Sequence, residues 1–168
     1  MMRFGKGTVS TLACAAAIVA GGSLALGSTF LKVDIPTLRG MSEAVVRAHV
    51  VDVRSSWNDE GSAIFTYVTL EVKGRLSGRT DNELVVRVPG GTVGNFTSVM
   101  EGAPEFTVGD DIVAFIARWD DGAPMIAGYA EGVSTVKVDG IGNAVLHGGL
   151  ANGMPISELT KQLGRSGR

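Results

Sequence analysis

The stretch IFTYVTLEV, residues 64–72, decides the fold. Ile64, Thr66, Val68, Leu70 and Val72 fall on one side of an extended chain, and Phe65, Tyr67, Thr69 and Glu71 on the other. A period of two, carried by β-branched and aromatic residues, is the mark of a half-buried strand. Upstream, AVVRAHVVDV (44–53) is a second Val-rich strand, and Asn58-Asp59-Glu60-Gly61 is the turn signal between them. Trp57 is placed in that loop. Downstream, Leu84, Val86 and Val88 alternate with Glu83, Val85 and Arg87 until Pro89-Gly90-Gly91 stops the run. Residues 92–108 are looser, with one irregular strand expected around 95–100.

Residues 112–119 are apolar on both faces, which predicts a central strand covered on both sides. Asp120-Asp121-Gly122 is a hairpin turn. Further strands are expected over 125–130, 133–138 and 144–147. A short helical turn is expected over 36–41. A C-terminal helix is expected over 155–163, where Ile156, Leu159 and Leu163 form one apolar stripe and Gly164 is a natural stop. About seven or eight short strands with Gly-rich turns predict a mainly β domain, a small barrel or sandwich, with a short C-terminal helix.

The chain has 168 residues, enough for one domain. Arg3 and Lys6 precede an apolar stretch rich in Ala and Val, and Ala25-Leu26-Gly27 sets small residues before Ser28. That layout predicts a secretory signal peptide over 1–27 and an exported domain over 28–168, periplasmic or extracellular. The alternative is an uncleaved N-terminal membrane anchor, since residues 8–27 are long enough to span. After cleavage no membrane span is expected. Cys14, the one cysteine, lies inside the leader. The mature domain then has no thiol, which excludes disulfides, thiolate metal sites and cysteine nucleophiles. It keeps 13 Lys and Arg against 17 Asp and Glu, a net charge of −4. A mildly acidic domain without a basic run is not built to hold nucleic acid.

The segments SEAVVRAHVVDVRSSW, TYVTLEVKGRLSG, VVRVPGG, GAPEFTVGDDIVAF and GYAEGV, within residues 40–138, resemble a family of small exported bacterial proteins of unassigned activity. The most distinctive parts are a corner at Lys73-Gly74, the Val-Pro-Gly-Gly stretch, and Phe106 to Asp110 leading into the buried strand. The same order is more distantly similar to netrin-like domains, OB-type barrels found in tissue metalloprotease inhibitors. The resemblance implies an OB-like barrel. The inhibitors' N-terminal cysteine has no counterpart in the mature chain.

No metal motif, cofactor fingerprint or nucleophile motif is present. His49, on a face with Val45, Arg47, Val51 and Val53, and His147, at a strand end, lack metal-ligand spacing. Asp110-Asp111 and Asp120-Asp121 stand at opposite ends of one strand and read as turn residues. Residues 89–94 lack the Lys-Ser/Thr of a phosphate loop. The surface that stands out is aromatic: Phe65 and Tyr67 point away from the core face, Trp57 precedes them, and Trp119 ends the central strand. Exposed aromatics anchor proteins or glycans; alternatively a curled sheet or the C-terminal helix covers them. The expectation is therefore a non-catalytic exported binding module for an unknown protein or glycan in the envelope or outside the cell. An inhibitor of an exported protease, presenting Ser28 or residues 88–94, is the alternative. A hydrolase with a dispersed site, needing a histidine near a carboxylate and a nucleophile, is a third reading.

Overall fold

The structure, a computed structural model, describes residues 33–165. The leader expected over 1–27, with Cys14, and the expected boundary at Ser28 lie outside the described residues. The domain is mainly β. In chain order it runs α1 (Ile35–Gly40), β1 (Ala44–Trp57), β2 (Ile64–Gly78), β3 (Glu83–Pro89), β4 (Gly91–Val93), β5 (Phe96–Ser98), β6 (Asp111–Arg118), β7 (Pro124–Ile126), β8 (Val133–Val138), β9 (Ala144–His147) and α2 (Ile156–Arg165), with a 3-10 turn at Tyr129–Gly132. Seven strands form one antiparallel sheet in the order β3-β2-β1-β6-β8-β9, with β7 paired to β6, while β4 and β5 form a separate hairpin. Among the described residues no helix is long and apolar enough to cross a membrane.

The sheet has two apolar faces, and each buries its own core. Val46, Ala48 and Val50 of β1 pack with Val68, Leu70, Leu84, Val86, Val88, Ile112, Ala114 and Ile126 on the inner face. On the outer face Val45, Val113 and Phe115 are covered by Ile35 and Leu38 of α1 and by Leu159 and Leu163 of α2. Thus β6 is buried on both sides, as its sequence requires. The inner core joins β3 to β7, two strands with no ladder between them, so the sheet curls into an open barrel.

Curling needs irregular strands, because a bulge adds bend and twist. The register of β1 against β2 slips at three places, between Val45 and Val46, Arg47 and Ala48, and Val50 and Asp52. The last slip leaves Val51 unpaired and exchanges the two faces of β1. Before it, even-numbered residues point inward; after it, Val53 does, paired with Val68 and packed on the inner core. The strict alternation that set His49 and Val53 on one face fails here for that reason.

Other boundaries also move. Trp57 is the last residue of β1, opposite Ile64, rather than a loop residue. Lys73-Gly74 is no corner: β2 runs through it to Gly78, absorbing the extra length in its slips. The looser region holds a hairpin, β4 and β5, instead of one strand. The strand expected over 125–130 stops at Ile126, where Gly128 and Tyr129 take left-handed backbone at φ 69° and 54°. Gly164 lies inside α2.

Candidate functional site

The four aromatic candidates divide between two places. Phe65, Tyr67 and Trp119 gather on the outer face around a residue that the aromatic pattern did not single out, Arg87. Cross-strand register makes the arrangement: Arg54 of β1, Tyr67 of β2 and Arg87 of β3 lie side by side. The Arg87 guanidinium sits 5.2 Å from the Phe65 ring centre and 5.4 Å from that of Trp119. Its Nη2 donates to Asp121 Oδ2 at 2.7 Å, and its backbone carbonyl accepts from Trp119 Nε1 at 3.3 Å. The tight turn at 119–123, closed by Trp119 N–H to the Ala123 carbonyl, presents both Trp119 and Asp121. The other Asp121 oxygen accepts the Ala123 N–H. That bond first, and Arg87 second, hold the Asp121 carboxyl below the usual aspartate range.

This cluster joins β3 to the β6–β7 turn where no strand ladder does. Arg87 fills the faces of both rings, its side chain is only 22% exposed, and its Nε has no hydrogen-bond partner among the described residues. The aromatic groups are occupied from within, so the cluster acts as a latch on the seam of the open barrel. A shallow hollow of about 300 Å³ beside it, lined by Asn58, Asp59, Glu60, Phe65, Tyr67, Arg87 and Asp121, is largely polar.

Trp57 lies apart, on the inner face, where its ring meets Phe96 edge-on at 5.6 Å. The contact pins the tip of the β4–β5 hairpin to the ends of β1 and β2. At its base, Gly91 (φ 132°) lies so close to Ser55 and Thr66 that a Cβ there would collide with both hydroxyls.

Below the hairpin the barrel mouth opens into a cleft of about 450 Å³. Val53 and Val88 contribute an apolar wall, Ser55 and Thr66 a hydroxyl pair between the walls, and Met100, Ala103 and Phe106 part of the facing wall. Thr66 Oγ1 donates to the Gly90 carbonyl at 2.8 Å, so in the 3.0 Å contact between Ser55 Oγ and Thr66 Oγ1 it is Ser55 that donates. Both hydroxyl protons are thereby used, and the Ser55 lone pairs remain. The loop that forms the far wall is tied at both ends: Ala130 N–H bonds the Gly102 carbonyl at 3.0 Å, and Gly109 N–H bonds the Val50 carbonyl at 2.9 Å. Val99 of the lining is 87% exposed, and Phe96 of the hairpin 64%. The signal that could have found this cleft is a slip in β1, which turns Val53 and Ser55 inward, and an isolated bulge leaves no trace in hydropathy.

The histidines do not meet. His49 lies on the outer face with its Nδ1 3.2 Å from Asp111 Oδ1, and Arg47 reaches the other oxygen at 3.4 Å. His147 pairs with Thr135 on the opposite face. Among the described residues no three His, Cys, Asp or Glu side chains converge as metal ligands. The chain matches no family model, no curated protein and no solved structure.

Proposed function

We propose that this chain is a non-catalytic exported binding module that takes its ligand in the cleft at the mouth of the open barrel. One observation carries the reading: a cleft of about 450 Å³ with apolar walls and a polar floor. Small-ligand sites are concave, mainly apolar, contain a few placed polar groups, fall between about 300 and 1,000 Å³, and often occupy barrel mouths. The tethers at Gly102 and Gly109 favour a pre-formed site, which lowers the ordering cost of binding. Export rests on Arg3, Lys6 and the small residues before Ser28.

Less supports a protease inhibitor. That role needs a projecting rigid segment, whereas residues 88–91 are packed into the cleft wall, with Gly91 against Ser55 and Thr66. For a hydrolase, His49 has its carboxylate, but Asp111 is shared with Arg47 in a half-exposed ion-pair cluster.

The test is native mass spectrometry of the exported protein purified from its own cells, beside Ala103→Trp and Thr107→Trp, which fill the cleft from two positions of its far-wall loop. A co-purifying small molecule present on the parent and missing from both variants is expected. A parent that carries no ligand and binds none of a chemically diverse set, or a ligand retained by both variants, removes the reading.

A further inference from the structure

We infer that the ligand of this cleft is a small amphiphile with a protonated amine, its apolar body on the cleft walls and its ammonium N–H groups on the floor and rim. The inference rests on the cleft being the binding site and adds the chemistry of its occupant. Two independent observations point to it.

The first is charge. From residue 88 to residue 117 the chain has no Lys or Arg, while it has Glu101, Glu105, Asp110 and Asp111. Glu105 lines the cleft and is the one ionisable residue of its lining among the described residues, and Glu101 lies two residues from the lining Ala103. The nearest cations on the adjoining strands are held on the other face of the sheet. Arg54 and Arg87 flank Tyr67 there, and they pair with Asp52 and Asp121. A carboxylate or phosphate ligand would therefore meet negative charge with no counter-ion, which costs binding energy in a partly desolvated site.

The second is hydrogen-bond polarity. The Ser55 and Thr66 protons are committed to Thr66 and Gly90, so the hydroxyl floor offers lone pairs. Ser98 and Thr107 add hydroxyls that donate or accept, and Glu105 a carboxylate that only accepts, so an ammonium group, with three donors and the complementary charge, suits this lining. The apolar wall groups, Val53, Val88, Met100, Ala103 and Phe106, suit an aliphatic or aromatic body. An extended peptide is less well served. Peptides add to free strand edges, and the cleft walls are a corner with Pro89 and a loop with Pro104.

The experiment titrates the whole exported protein, at neutral pH and low salt, with decylammonium, decanol and decanoate below their aggregation concentrations. Calorimetry gives affinity, and methyl shifts of Val53, Val88 and Ala103 locate the site. Decylammonium is expected to bind roughly tenfold more tightly than decanoate, with the gap narrowing in high salt. The double variant Glu101→Gln/Glu105→Gln, at two exposed positions, is expected to bring the probes within a few-fold of one another. Equal binding of all three probes at the cleft methyls, or preference for decanoate, overturns the ammonium inference while leaving the cleft as a site. Failure of every probe to shift those methyls overturns the inference and the cleft reading together.

Discussion

Arg87 ties the outer side of the barrel seam. Two ring faces and a carboxylate surround one guanidinium, and a cation over an aromatic ring contributes roughly 0.5–2 kcal/mol, more as water is excluded. Arg87→Met should keep much of the aliphatic packing and lose the charge and the fork. It is expected to lower stability by about 1–2 kcal/mol in urea melts, and Arg87→Lys should recover only part, since a point charge cannot stack as a plane does. The carboxylates give the molecule an acid limit. Asp34 is held below the ordinary aspartate value by its bonds with Thr37, Asp121 by the Ala123 N–H and Arg87, and Asp139 by the Asn143 N–H. A folded value below the unfolded one means these bonds stabilise fully above about pH 4 and are lost as pH falls through the depressed folded values. Urea midpoints should therefore fall on acidification below about pH 4, and Asp121→Asn should make that acid limb shallower. Phe65, Tyr67 and Trp119 were visible in the sequence as a set; their partner Arg87 was read only as the polar phase of a strand. Which cation fills an aromatic pair depends on register between strands, and hydropathy does not encode register.

At the scale of the element, the β4–β5 hairpin decides whether the cleft has a roof. It is short, so its position depends on Gly91 at one end and on the Trp57–Phe96 contact at the other. Gly91→Val puts a branched side chain into the Ser55 and Thr66 hydroxyls at a φ of 132°. Strain of this kind costs about 1–3 kcal/mol. The expected outcome is a displaced hairpin, read as faster proteolysis within residues 91–98 and loss of ligand from the cleft. The strands with clean alternation, β2 and β3, and the doubly buried β6 were legible because one face or both must leave water. The hairpin was half legible: Pro89-Gly90-Gly91 marked a break, but three-residue strands are too short to show a period. The bulge at Val51 was invisible, since one extra residue in a Val-rich run changes neither composition nor apparent alternation.

At the largest scale, residues 33–165 form a curled sheet with a core on each side of β1 and β6. The binding reading uses the inner side, and the helices serve the outer one. Leu159 is fully buried against that outer face. Leu159→Ala should cost about 2–5 kcal/mol, seen as a lower thermal midpoint, with no change in ligand affinity once the protein is folded. The apolar stripe of α2 foretold that the helix docks. It did not foretell the place, because Leu76, Val113 and Phe115 become one surface only after the sheet has curled.

The seam between β3 and β7 has a consequence for the route by which the molecule comes apart. Elsewhere in the sheet neighbouring strands are held by ladders of backbone bonds; here the closure is side-chain packing alone, the inner core on one face and the stacked Arg87 with its turn on the other. Partial openings follow the weakest line of contacts. The first opening on the way to unfolding is expected to run along this line and to unroll β3, and then β2, from a remainder in which β1, β6 and both helices are still assembled. Native-state hydrogen exchange should show that order, with β3 amides exchanging ahead of those of β1 and β6.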